Sequence, residues 1–232
     1  MRFFRRDIPV RAYGYLGAGF VLTGASLWLF AELIDEILEK EIQLWDAFMY
    51  FVLQSFASYP LDVLMYWLTA MGSGVSVVGL SVAFLVWWWA FHRDLRTLYL
   101  FLIANAGGLG FNLFLKHVLQ RDRPSLNADI GAVGYSLPSG HAMGAMIFYG
   151  FLAYLIIRSQ RHGPVSTVLL SVVLGLFIVG IGVSRIYLNA HFASDVLAGF
   201  CAGCFWLAAC IFALEVKPWY KKYWKPGANG LR

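Results

Sequence analysis

The chain has 232 residues, 60% of them hydrophobic and 13% charged, with a net charge of +5 and a mean hydropathy of +0.67. A soluble globular domain carries roughly 25% charged residues, so this composition excludes a freely soluble enzyme and points to a bilayer. In that setting the basic excess reads as membrane topology rather than as a nucleic-acid footprint.

Six apolar stretches follow in chain order, at about 13–31, 73–91, 97–115, 140–157, 165–183 and 193–213. Each approaches the ~20 residues that cover ~30 Å of hydrocarbon at 1.5 Å per residue. Backbone polar groups must be satisfied within each crossing, so these are expected to be helices. The first stretch is too long for a signal-peptide core and lacks a convincing cleavage site, which keeps it in the mature protein. Residues 32–71 are different in character. "AELIDEILEKEIQLWDAF" is acidic with apolar residues at helical spacing, and "DVLMYWLTAMG" is apolar but too short to cross. They read as a short interfacial helical segment, or as a re-entrant pair ending at Gly72 and Gly74. The expected fold is all-α: one polytopic membrane domain over 1–232, with six transmembrane helices and an amphipathic extracytoplasmic segment between the first two.

Charge sets the orientation. All of the 18 Lys and Arg except Lys40, Lys116, Arg121, Arg123 and Arg185 fall on the side that carries both termini. Of the acidic residues only Asp7, Asp94 and Glu215 share that side. The positive-inside tendency places both termini in the cytoplasm of a cell-membrane protein. Cys201, Cys204 and Cys210 lie together in the last stretch and read as small packing residues, with no disulfide.

On the opposite side, polar groups gather at one membrane level, where each is costly and therefore a functional candidate. Lys116 and Arg123 close the third apolar stretch, and Arg185 closes the fifth. Three cations with few acids beside them suit a doubly charged oxyanion. In "PSGH", Pro138 fixes the chain, Ser139 is a good N-cap and Gly140 bares its N–H at a positive helix end, which suits an anion cradle with His141 facing its occupant and equally a plain capped helix with a polar His at the headgroup level. Four residues separate His191 from Asp195, so a helix carries both on one face. The carboxylate can then accept the Nδ1–H and leave Nε2 as a nucleophile. Metal binding is the competing use of these groups, but no two His stand at ligand spacing and the cations would repel a metal. His92, His117 and His162 read as structural. Asn105 and Asn112 are expected to make interhelical hydrogen bonds, and Gly140-xxx-Gly144 with Gly199-xxx-Gly203 to let two helices pack closely. Ser136 is expected to face outward, open to an impermeant label.

These residues resemble a known signature. Lys116-x6-Arg123-Pro124, Pro138-Ser139-Gly140-His141 and Ser184-Arg185-x5-His191-x3-Asp195 are similar to the three motifs of the type 2 phosphatidic acid phosphatase superfamily, over roughly residues 73–213. The resemblance implies that His191 attacks phosphorus, that Asp195 orients it, and that His141 protonates the leaving oxygen and then serves as base. It implies that Lys116, Arg123, Ser139, Gly140 and Arg185 hold the phosphoryl oxygens, with no metal or other cofactor. The implied partners are a membrane lipid phosphate and the bilayer, with no nucleic acid. The sequence reading favours undecaprenyl diphosphate, with phosphatidylglycerophosphate or phosphatidic acid as the alternative. An anion or lipid transporter is the reading from a different class. It fits poorly with polar groups at one surface rather than at the midplane.

Overall fold

The computed structural model describes residues 10–125, 130, 132–159 and 163–223. His162, Asp129 and the basic residues at the two extreme ends lie outside that range. Among the described residues the chain forms eight helices: α1 (Val10–Leu38), α2 (Gln43–Ser55), α3 (Tyr59–Met71), α4 (Gly74–His92), α5 (Leu95–Leu119), α6 (Gly140–Ser159), α7 (Pro164–Tyr187) and α8 (Ala193–Tyr223). Five of them, α4 to α8, are long and apolar enough to cross a membrane. With this architecture the chain is a polytopic membrane protein.

Local chemistry sets the helix ends. Ser73 caps α4 by accepting the Ser76 N–H at 3.3 Å. Asp94 caps α5, taking the Arg96 N–H at 3.1 Å and the Thr97 hydroxyl at 2.6 Å. Such caps satisfy amide donors that a helix start leaves free. Arg93 and Gln120 end α4 and α5 with left-handed backbone at φ 53° and 45°. Pro164 begins α7, where its missing N–H costs nothing.

The segment between the first two apolar stretches departs from expectation at its start. The stretch 13–31 lies inside α1, which runs on through Leu38 because "AELIDEIL" holds good helix formers and no breaker. The remainder is a pair of helices, α2 and α3, of 13 residues each. At ~20 Å apiece neither can cross ~30 Å of hydrocarbon. Instead α3 packs along α7, and α2 sits over the end of α7 and the start of α8. The turn from α3 to α4 packs closely on α7 at Gly72, where a Cβ would meet Ile181 Cγ2 at 2.4 Å.

The core lies among α5, α6, α7 and α8. Phe101, Met143, Ile147, Phe151 and Ile181 are essentially inaccessible there. Most other large apolar side chains, such as Val75, Val165 and Leu176, point outward, as bilayer-facing surface requires. The α6–α8 contact is close, and the expected small-residue pattern holds on one helix only. A Cβ on Gly199 would stand 2.8 Å from the Ser139 carbonyl oxygen, and one on Gly203 would stand 3.0 Å from that of Met143. On α6, Gly144 meets nothing within 4 Å and Gly140 faces Asn112 instead. Of these four glycines the two on α8 make the close approach, and further along the pair Gly150 of α6 leaves room for Leu207 of α8, 2.8 Å from an added Cβ. The approach at the α8 glycines draws the start of α6 against the start of α8.

Candidate active site

The short turn from α7 to α8 is built on one carbonyl. Asn189 reverses the chain at φ 53°, and the amides of Ala190 and His191 both donate to the Arg185 oxygen, at 3.0 and 3.2 Å. The turn seats His191 beside the end of α7, 3% exposed. Asp195 follows in the first turn of α8, fully buried, with Oδ2 3.5 Å from His191 Nδ1. That separation is an alignment rather than a closed hydrogen bond. The same Oδ2 accepts the Phe192 N–H at 3.0 Å, and Oδ1 accepts Arg121 Nη1 at 2.7 Å.

On the other side of the ring, His191 Nε2 lies 3.0 Å from Arg123 Nη1. A guanidinium only donates, so Nε2 is the acceptor and the ring proton sits on Nδ1, toward Asp195. Burial is the main force on this imidazole and disfavours its charged form. Asp195 pulls the other way, and the charges of Arg123 and Arg185 add to the burial effect. The result is a pKa lowered to about 4. A neutral ring with its Nε2 lone pair set among cations can attack an electrophilic phosphorus.

The cations arrive from three elements. Arg185, fully buried at the end of α7, donates Nη1 to the Thr69 hydroxyl of α3, while its Nε and Nη2 are buried with no protein partner. Buried donors left unpaired are costly, and an oxyanion is what a guanidinium in this position satisfies best. Arg123 donates Nε to the carbonyls of Val133 and Gly134 at 3.2 and 2.9 Å, Nη2 to that of Tyr135 at 3.2 Å, and Nη1 also to that of Ala190 at 2.8 Å. Lys116 donates to the same Tyr135 oxygen at 2.5 Å and to that of Ser136 at 3.3 Å.

The start of α6 completes the set. Ser139 Oγ accepts the Ala142 N–H at 3.4 Å as a helix cap, and its own amide donates to the Asp195 carbonyl at 3.0 Å. That second bond ties the PSGH turn to the helix bearing Asp195. Gly140 leaves room for Asn112, whose Oδ1 would stand 3.1 Å from an added Cβ. His141 is partly buried, stands within reach of the charges of Arg185, Arg123 and Lys116, and lies against the α3–α4 turn. All eight residues singled out from the sequence thus meet at one end of the bundle. A cavity of about 470 Å³ opens beside His191 and Arg123, bordered by Asn189, Phe192 and, from α2, Gln43 and Tyr50.

Two readings are corrected by the structure. Ser136 is fully buried, with its amide on the Arg121 carbonyl and its hydroxyl on that of Asp122, so it is closed to a label. Asn105 donates to Phe101 within its own helix rather than across helices. Asn112 does cross between helices, reaching the Pro138 carbonyl at 3.4 Å. Among the described residues, no three His, Cys, Asp or Glu side chains converge as a metal-binding set. Sequence reasoning missed Thr69, Asp46 and Arg121. Arg121 was visible as a cation two residues before Arg123, but nothing in the spacing tied it to α2.

The family follows from this geometry and from comparison with known proteins. A model of the PAP2 superfamily matches residues 95–217, which include every motif residue above. The chain belongs to the PAP2 superfamily. It is similar to phosphatidylglycerophosphatase B of Bacillus subtilis, with 34% identity over 92 residues, 40% of this chain and 45% of that one. Dolichyldiphosphatase 1 of Dictyostelium discoideum is 29% identical over 126 residues, 50% of this chain and 53% of that one. The matches thus span about half the length of these curated relatives. In fold, the chain superimposes on the crystal structure of a transmembrane PAP2-type phosphatidylglycerolphosphate phosphatase from Bacillus subtilis with a TM-score of 0.76 at 22% identity. That match covers 89% of this chain and 100% of the other. The crystal structure of Aquifex aeolicus LpxE matches with a TM-score of 0.52 at 21% identity, over 72% of this chain and 92% of that one.

Proposed function

We propose that this PAP2 member is a membrane lipid phosphatase working through a phosphohistidine, with phosphatidylglycerophosphate as its substrate. The observation that carries the reading is the His191 ring, kept neutral mainly by burial, with its Nε2 lone pair oriented by Arg123 Nη1 at 3.0 Å among three cations. Nε2 attacks phosphorus, and the bond from phosphorus to the lipid oxygen breaks while His141 gives that oxygen a proton. Asp195 faces the Nδ1–H and offsets the positive charge the ring gains. Water then attacks the phosphohistidine, His141 takes its proton, the N–P bond breaks and phosphate leaves. Lys116, Arg123 and Arg185, with Ser139 and the Gly140 N–H, hold the phosphoryl oxygens and stabilise charge in both transition states.

The substrate choice rests on the similarity to phosphatidylglycerophosphatase B, and it displaces undecaprenyl diphosphate, which the sequence alone favoured. The dolichyldiphosphatase match keeps an isoprenyl diphosphate as the second reading. In the membrane, α1 and α4 to α8 make six crossings of a single integral domain. Both termini are cytoplasmic, and α2 and α3 lie at the extracytoplasmic interface beside the active site.

The test is phosphate release by the detergent-purified protein, with chelator present, from phosphatidylglycerophosphate, undecaprenyl diphosphate and phosphatidic acid. The first is expected to be hydrolysed fastest, and His191→Ala to fall to the blank. Preference for undecaprenyl diphosphate would reverse the substrate reading. Release from none, or full activity in His191→Ala, would overturn the enzyme reading and return a transporter to consideration.

A further inference from the structure

The one buried residue of α2 is an acid. Asp46 is 2% exposed, and its carboxylate accepts three hydrogen bonds. Arg121 Nη2 donates to Oδ2 at 2.8 Å, the Ser194 hydroxyl to the same oxygen at 2.7 Å, and the Ser194 amide to Oδ1 at 2.8 Å. The last two come from the first turn of α8, so Asp46 docks α2 onto the start of the helix that carries Asp195. Arg121 is shared. Its Nη1 donates to Asp195 Oδ1 at 2.7 Å and to the Ser194 hydroxyl at 2.8 Å, and its guanidinium lies 4.2 Å over the Phe192 ring.

Asp195 has two oxygens, and the chemistry needs one of them. Oδ2 faces His191 Nδ1, and Oδ1 belongs to Arg121. A free guanidinium prefers to grip a carboxylate with both arms. Here the second arm, Nη2, is occupied by Asp46, 75 residues away in sequence. We infer that Asp46 and Arg121 are positioning residues for the proposed His191–Asp195 pair, and that α2 exists in part to restrict Arg121 to a single oxygen of Asp195. Two buried carboxylates against one guanidinium also leave a net negative charge facing His191. The ring becomes cationic when it bonds phosphorus, and that charge is then offset.

This inference rests on the phosphohistidine reading, and the two are separable by experiment. Steady-state kinetics on phosphatidylglycerophosphate in detergent micelles are compared for the wild type, Asp46→Asn, Arg121→Gln and the double variant. Asp62→Asn is the control. It removes a carboxylate that accepts the Tyr187 hydroxyl and pins α3 to α7, a contact separate from the Asp46–Arg121–Asp195 set. The two single variants are expected to lower kcat between about tenfold and about a hundredfold, because the reacting pair loses its alignment. KM should stay within about twofold, since the phosphate-holding cations are untouched. The double variant should be no slower than the worse single, the non-additivity of two residues acting as one unit. Asp62→Asn should keep the wild-type kcat. Wild-type kcat in Asp46→Asn, a rise in KM without a fall in kcat, additive losses, or an equal loss in Asp62→Asn would each overturn the inference. Asn is isosteric with Asp and is expected to fold. If Arg121→Gln does not, Ser194→Ala replaces it, with the same expected split and the same overturning results. Wild-type protein that releases no phosphate, or an active His191→Ala, would bring down the underlying reading instead, and the inference with it.

Discussion

At the scale of single residues, His191 is governed by competition between burial and charge. Burial and the two arginines disfavour the imidazolium, Asp195 favours it, and the balance places its pKa at about 4. The neutral ring therefore persists through physiological pH and is protonated only as pH falls through about 4, rather than through the usual 6.5. Nitrogen-resolved NMR of a histidine-labelled sample should show this depressed titration. Arg123→Ala removes one repelling charge and should raise the His191 pKa toward 6.5. An unchanged titration would show that the Arg123 charge does not contribute to it. Most residues of the candidate site were legible in the sequence, because cations, a helix-capping turn and a His–Asp pair four apart each stand out against apolar surroundings. Asp46 was not. A carboxylate in an acidic, helix-forming stretch looks like solvated surface until α2 is folded onto α8.

Elements explain why the site is compact. At the site end, α6 and α8 approach on the α8 glycines, where the backbone of α6 and of the turn before it leaves no room for a methyl group. Gly199→Ala should gain up to about 1 kcal/mol in helix propensity but lose about 1–3 kcal/mol to overpacking against the Ser139 carbonyl. The backbone contact wins, because a carbonyl cannot rotate away as a side chain can. A lower melting temperature in detergent is expected, with a parallel fall in phosphate release as the PSGH turn shifts. Gly144→Ala, with nothing within 4 Å, should leave both unchanged or improve stability. Equal effects of the two would refute the packing account. Sequence spacing located both small-residue pairs and could not say which one made the contact, since that depends on how each helix is rotated. The same limit explains α1, whose helix continues past its apolar portion because length and propensity, not hydropathy, decide where a helix stops.

For the whole molecule, the apolar runs were the most legible feature. The apolar runs at 73–91, 97–115, 140–157, 165–183 and 193–213 correspond to α4 through α8. What they could not convey was that two helices too short to span would fold back over the site end of the bundle. Such placement depends on long-range pairs such as Gln54 with the Tyr187 carbonyl and Tyr149 with that of Met71. The proposed orientation is testable at Val133, which is 60% exposed in the loop before the PSGH turn. In intact cells Val133→Cys should react with an impermeant maleimide from outside. Reaction only after lysis would invert the topology. The native cysteines all lie on α8 and leave that face of the protein free of background.

The carbonyls of Val133, Gly134, Tyr135 and Ser136 occupy the donors of Lys116 and Arg123. In the proposed reaction, a phosphoryl group entering among these cations is a rival of the loop for the same donors. Affinity becomes a difference between two sets of bonds, so a loop with weaker acceptors would tighten substrate and product together. Turnover would then be limited by how readily the loop reclaims its donors when phosphate must leave.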